Sequence, residues 1–235
     1  MTGSASRTTE PGEAVAADAA LAVPVWDLPV RLVHWSLVAL IALSWWSAEN
    51  GRVQWHLWSG YGVLFLVLFR LLWGFLGSST ARFSSFVRGP VGVLRYLKQP
   101  SGWSAVGHTP LGALSVVALL LLIAAQVAFG LLLADEDGIV AGPLNRYVDF
   151  ETAEIAHSVH EALFNVLLGF IALHVAAILY YRLRGKRLVG AMLRGTTRLP
   201  AGTQPLVAAP PSRLAVALLV AGGFTWWIVA GAPLP

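Results

Sequence analysis

HSVHEALFNVLLGFIALHVAAILYY, residues 157–181, is the stretch that decides the fold. As one α-helix rising ~1.5 Å per residue, this apolar run is long enough to cross a hydrocarbon core ~30 Å thick. Within it stand His160 and His174, fourteen positions apart. At about 100° per residue, fourteen steps return to within ~40° of the starting direction, so both imidazoles share one face. Their rise along the axis is ~21 Å, which sets them near opposite edges of the hydrocarbon layer. Ionisable side chains in lipid are costly and mark function. Two on one face, at two depths, suggest two cofactors stacked across a membrane.

The rest of the chain agrees with a membrane setting. Of its 235 residues, 57% are hydrophobic and 12% charged, where ordinary soluble domains carry roughly 25% charged residues. Five segments are long and apolar enough to span: 29–48, 56–76, 110–133, 157–181 and 213–231. The reading is an all-α integral membrane protein, a four-helix bundle with a fifth, C-terminal transmembrane helix. There is no cysteine, which excludes disulfides, iron–sulfur clusters, thiolate zinc sites and covalent haem attachment. Met1 and Met192 both lie outside the predicted spans. A haem here is therefore non-covalent, with histidine as its axial ligand.

Charge sorting sets the topology. With the N-terminus inside, 14 of the 16 Lys and Arg residues fall on the cytoplasmic side and only Arg52 and Arg146 on the other. The positive-inside rule then predicts an N-in chain with its C-terminus outside, multi-pass in a bacterial inner membrane. The net charge of +4 is thus an orientation signal, with no nucleic-acid partner implied. The run Arg182 to Arg187 also suits anionic headgroups.

Between the spans, residues 1–24 are small and polar, without the basic and apolar regions of a signal peptide, and are read as a disordered cytoplasmic tail. Residues 25–195 make the four-helix domain, 196–212 a linker and 213–235 the extra helix. The segment VGVLRYLKQ in the inner connection predicts a short helix. Trp35, Trp45, Trp46, Trp55, Trp58, Trp73, Trp103, Trp226 and Trp227 lie mostly near span ends, as an aromatic belt at headgroup level requires.

Topology pairs the histidines. Span one runs outward, so His34 lies inside; spans two and four run inward, so His56 and His160 lie outside and His174 inside. The result is two depth-matched pairs, His34 with His174 and His56 with His160. Each can clamp a haem iron between two helices, and six-coordinate bis-histidine iron suits electron transfer. Gly60, one turn after His56, would let a porphyrin approach. The competing account makes each histidine a hydrogen-bonding or interfacial residue, and four depth matches by accident tell against it. A metal reading of His157, His160 and Glu161 is weak, because the order is not HExxH.

RLVHW at 31–35, RLLWGFLGSSTARFSSFVRGP at 70–90, GHTPLGALSVVALLLLIAAQVAFGLLL at 107–133 and HEALFNVLLGFIALHVAAILYY at 160–181 carry a family resemblance. Over residues 25–195 the chain resembles the bacterial di-haem b-type cytochromes. These are the cytochrome b561 type together with the cytochrome b subunit of nickel–iron hydrogenases. The resemblance implies a four-helix bundle with two b haems, axial ligands at His34, His56, His160 and His174, and exchange of electrons with the quinone pool. The N-terminal tail and fifth span depart from the minimal four-span pattern.

Arg31 and Arg70, at the inner edge, are candidates to pair with haem propionates, against plain snorkelling to the interface. His108 precedes Thr109-Pro110, an N-cap and first-turn pair, and could also face a quinone oxygen or a propionate. His157, one turn before His160, could tune the outer haem or contact a partner. The chain is thus expected to be an electron-transfer subunit in the bilayer rather than a stand-alone catalyst. It would link quinone to a c-type cytochrome, a hydrogenase or another dehydrogenase, and a homodimer is compatible with this. The alternatives are a stand-alone superoxide:quinone oxidoreductase and, more remotely, a haem-free scaffold or transporter. Eight acids against two arginines on the outer side tell against attracting an anion and suit a basic partner. No span carries a central acid of the kind a transporter would show.

Overall fold

The computed structural model describes residues 21–99, 107–135, 140–200 and 202–233. The predicted tail up to residue 20 and the belt position Trp103 lie outside them. Five helices are long and apolar enough to cross a membrane: α1 (Leu28–Glu49), α2 (Val53–Leu76), α5 (Pro110–Leu132), α6 (Phe150–Leu183) and α8 (Pro211–Val229). Three short ones accompany them: α3 (Phe83–Phe86), α4 (Pro90–Lys98) and α7 (Leu188–Arg194).

The helix starts follow local chemistry. Asp27 caps α1 by accepting from the Val30 amide at 2.8 Å, with a proline in the first turn. Thr109 caps α5 in the same way, accepting from the Gly112 amide at 3.1 Å. Both arrangements satisfy amides that the first turn leaves unpaired. Asp149 caps α6, accepting from the Thr152 amide at 2.8 Å, and Glu151 stands in the first turn. Those acids extend the helix seven residues before the predicted start at 157. A helix of 34 residues is ~51 Å long, so α6 projects well beyond a ~30 Å hydrocarbon core.

Packing centres on α2. It lies against α1 on one side and α8 on another, and also touches α5, while α6 runs along α5. The core joins Val30, Val33 and Leu37 of α1 with Val63, Val67, Phe69 and Trp73 of α2, and with Ile123, Leu167, Ala217 and Ala221. The fifth helix thus belongs to the packed body. Its end is fastened as well: Tyr147 and Arg146 donate to the Gly231 carbonyl, and Tyr147 also to that of Ala232.

Two sequence expectations are corrected at the end of the bundle where α1 begins. Leu21–Pro24, given to the tail, forms strand β1, and Thr196–Leu199, given to the linker, forms strand β2. The strands are antiparallel, with Leu21 opposite Leu199 and Pro24 opposite Thr196. The later linker is bound too: the Leu206 amide donates to the Pro24 carbonyl at 3.1 Å, and the Ser79 amide to that of Val207 at 3.0 Å. Backbone groups left beside the bundle find partners there, and composition alone does not reveal those partners. Trp73 is a further correction. It is buried, stacked on Phe69 with ring centres 5.8 Å apart, and donates to Asp27 at 2.8 Å. Trp45, Trp46, Trp55 and Trp58 are exposed near the end of α1 and the start of α2, as a belt requires.

Candidate functional site

The four histidines of the sequence reading meet in the two expected pairs. His34 of α1 faces His174 of α6 with ring centres 6.4 Å apart, and His56 of α2 faces His160 of α6 at 6.1 Å. With a metal–imidazole bond of about 2 Å and about 1.1 Å from ring nitrogen to ring centre, a linear nitrogen–metal–nitrogen axis needs centres about 6 Å apart. Both separations fit that value. They are too long for a direct hydrogen bond between the rings and too short for unrelated surface residues.

The far side of each ring shows how it is aimed. His56 Nδ1 donates to the Ser44 carbonyl and His160 Nδ1 to the Gln126 carbonyl, each at 2.9 Å. A carbonyl only accepts, so the proton is on Nδ1 and the Nε2 lone pair points away from the anchor. Such an anchor fixes ring orientation and raises ligand basicity. His174 Nδ1 lies 3.4 Å from Ser115 Oγ, and His34 is braced edge-on by Trp35 with ring centres 5.1 Å apart.

The surroundings suit a planar macrocycle. Because α6 runs along α5 rather than along α1 or α2, the paired rings face each other between helices whose backbones stand apart. A Cβ added at Gly60, one turn after His56 and on the same face, would meet nothing within 4 Å, which leaves room for a porphyrin there. Gly130 has the opposite role. A Cβ there would come within 2.9 Å of His160 Cε1, so its bare backbone is what lets the ring reach the Gln126 carbonyl. Among the described residues no three His, Cys, Asp or Glu converge. Pairs are what haem iron takes from a protein when the porphyrin supplies the other four nitrogens.

Arg70 and Arg31 have different fates. Arg70 is buried, with its guanidinium 5.1 Å from the Phe83 ring centre and Nη1 lacking a partner among the described residues. The buried Ser78 Oγ, Thr80 Oγ1, Arg82 Nε and His108 Nδ1 are likewise unpaired. Arg70 and Arg82 are obligate cationic donors, and Ser78, Thr80 and His108 are able to donate, so each of these atoms has capacity for an acceptor. His108 packs between Trp26 and Phe86, each with ring centres 4.5 Å away. Burial, and then the Arg70 charge, push its pKa down to about 3, so it is neutral at physiological pH.

Arg31 is occupied elsewhere. It donates to the carbonyls of Met192 (3.2 Å) and Leu193 at the C-terminal end of α7. It therefore caps a helix instead of facing the histidine gap, since carbonyls at a helix end attract a cation. His157 forms an i,i+4 contact with Glu161 at 3.5 Å and stays outside both pairs.

Sequence reasoning missed Asp27, Ser44, Gln126, Ser115 and Gly130. Ser44 and Gln126 act through backbone carbonyls, which any residue carries, so their identity held no signal. Asp27 did hold one. It is the single acid on the inner side outside the tail, placed directly before a proline-started helix.

No curated protein and no solved structure matches this chain at a significant level. Residues 25–195 match the family model described as prokaryotic cytochrome b561, the same span that carries both histidine pairs. On that match the chain belongs to the prokaryotic cytochrome b561 family, as a membrane b-type cytochrome of electron transfer.

Proposed function

We propose that this chain binds two non-covalent b haems, one between His34 and His174 and one between His56 and His160. Through them it carries electrons across the membrane between the quinone pool and a redox partner. The observation carrying this reading is the pair of ring separations, 6.4 and 6.1 Å, which both match a bis-imidazole axis. Each haem supplies a one-electron iron couple.

The protein's own part is to hold and insulate. The carbonyls of Ser44 and Gln126 keep the outer imidazoles in the ligating tautomer. Two imidazoles per site leave no open coordination position for a substrate. The buried cation of Arg70 is assigned to the inner haem's propionates, because an unpaired guanidinium nitrogen there wants a carboxylate. Quinone would exchange electrons near one haem edge.

The arginine asymmetry supports a cytoplasmic N-terminus and an outer C-terminus. The outer side carries Glu49, Asp135, Glu136, Asp137, Asp149, Glu151, Glu154 and Glu161, against Arg52 and Arg146. That field suits a partner with a basic docking face, such as a c-type cytochrome, hydrogenase or dehydrogenase subunit, and disfavours superoxide entry.

The test is a reduced-minus-oxidised spectrum with haem quantification on the purified chain, alongside His160→Ala and His174→Ala. Two haems per chain, with each substitution removing a different one, is the expected result. A haem-free protein, or substitutions that disturb the same haem, would overturn the reading.

A further inference from the structure

The cationic end of α6 is not one uniform patch. Arg184 lies over the Tyr180 ring, 5.4 Å from its centre, and its Nε donates to the Tyr180 hydroxyl at 3.2 Å. Lys186 covers the Tyr181 ring, also at 5.4 Å. Aromatic faces thus hold these two cations. The other three, Arg182, Arg187 and Arg194, surround a cavity of about 570 Å³ whose remaining walls are Gly185, Val189 and Gly190. None of the three guanidinium groups makes a hydrogen bond or ion pair with another described residue.

The glycines make this arrangement possible. Gly185 has φ +78°, which ends α6 and turns the chain toward α7. A Cβ on Gly190 would come within 2.9 Å of Arg194 Nη2, so its absence lets that guanidinium fold over the helix toward the cavity. Arginines lining one cavity offer planar, multidentate donors suited to phosphate.

Next to this cavity the surface is apolar. Leu183 is 87% exposed, and Leu188, Val189 and Leu193 of α7 are exposed as well. A soluble phosphate would gain nothing from these side chains, whereas an amphiphile would place its acyl chains against them. The site also lies where a membrane helix ends, at headgroup depth.

We propose that the cavity between α6 and α7 is a binding site for the phosphate headgroup of an anionic phospholipid, held by Arg182, Arg187 and Arg194. The lipid's acyl chains lie along Leu183, Leu188 and Leu193. A lipid seated there braces α7, whose last carbonyls Arg31 ties to the first turns of α1, one turn before His34. Lipid occupancy is thereby joined to the helix that carries an inner histidine.

Native mass spectrometry of the full chain, titrated with phosphatidylglycerol or with phosphatidylcholine, tests the site. Phosphatidylglycerol is expected to remain bound where phosphatidylcholine does not. Millimolar inorganic phosphate is expected not to displace it, which separates a lipid site from a phosphate site. The variant Arg182→Gln, Arg187→Gln, Arg194→Gln should weaken phosphatidylglycerol binding about 100-fold, at roughly fivefold for each guanidinium hydrogen bond to the phosphate that is lost. The control Arg184→Gln, Lys186→Gln, Arg198→Gln removes the same charge but no cavity contact, so its screened, longer-range effect should be at least about tenfold smaller. Equal weakening by both triple variants would reduce the effect to bulk charge and overturn the proposal. So would equal retention of the two lipids, or full displacement by phosphate. Haem content serves as the folding control for both variants.

Discussion

Gly130→Ala tests how the outer histidine pair is built. A methyl group at this position would stand 2.9 Å from His160 Cε1 and 3.2 Å from Nδ1, where ordinary contact begins at 3.4 Å. The ring must therefore retreat by about 0.5 Å. Its bond to the Gln126 carbonyl is 2.9 Å long, and a retreat of that size stretches it beyond the ~3.2 Å limit of a good N–H···O contact. Losing such an anchor typically costs ~10–100-fold in metal affinity, or about 1.4–2.7 kcal/mol. Alanine in a helix interior is itself favoured over glycine by up to ~1 kcal/mol, so general unfolding should not mask the effect. The assay is transfer of haem to an excess of apo-globin, followed spectroscopically. Of the two haems proposed, the one at His160 should leave about 10–100-fold faster while the other keeps its wild-type rate. Gly223→Ala, where a Cβ meets nothing within 4 Å, is the neutral control. Wild-type release of both haems from Gly130→Ala, or equal acceleration of both, would refute the argument.

Further outcomes follow from the inner side. Replacing Trp73 by Phe removes the indole donor to Asp27 and should destabilise the chain by about 1.5–3 kcal/mol, as for a buried bond to a charged group, read by denaturant unfolding in detergent. Thr109→Ala deletes the cap of α5 and should cost about 1 kcal/mol in the same assay. Arg31→Gln should leave the haem content intact while exposing residues 185–195 to limited proteolysis, because α7 loses its tie to α1. His108 has a folded pKa near 3, below its unfolded value of 6.5, so its contribution to stability is complete above 6.5 and is lost as the pH falls toward 3. Between pH 6.5 and 5 the wild type should lose up to about 1.4 kcal/mol more per pH unit than His108→Phe. Parallel stability curves for the two would show that His108 is not held neutral in the fold.

What could be read in advance and what could not divide along physical lines. The spans are a property of composition, because lipid accepts only long apolar helices with internally paired backbones. Even the misplaced start of α6 has a local cause: Asp149 and Glu151, read as loop acids, are a cap and a favourable first-turn charge. The strands β1 and β2 were not legible, since Leu21–Pro24 and Thr196–Leu199 find each other across 170 residues and neither has strand periodicity long enough to notice. Arg31 and Arg70 looked alike as inner-edge arginines. Folding gave one to the end of α7 and buried the other beside His108.

By itself the sequence determined the helical class, the five crossings and which histidines share a depth, because helix rise and the apolar run convert residue number directly into position along the membrane normal. It also determined that haem, if bound, is held without a covalent bond, because there is no cysteine to attach it. Only the tertiary structure decided the lateral terms. It set the 6.1 and 6.4 Å gaps between rings, and the carbonyls of Ser44 and Gln126 behind them. It also set the cavity that gathers Arg182, Arg187 and Arg194. Depth follows from one helix at a time, whereas lateral distance depends on how several helices pack together. No single stretch of chain contains that information.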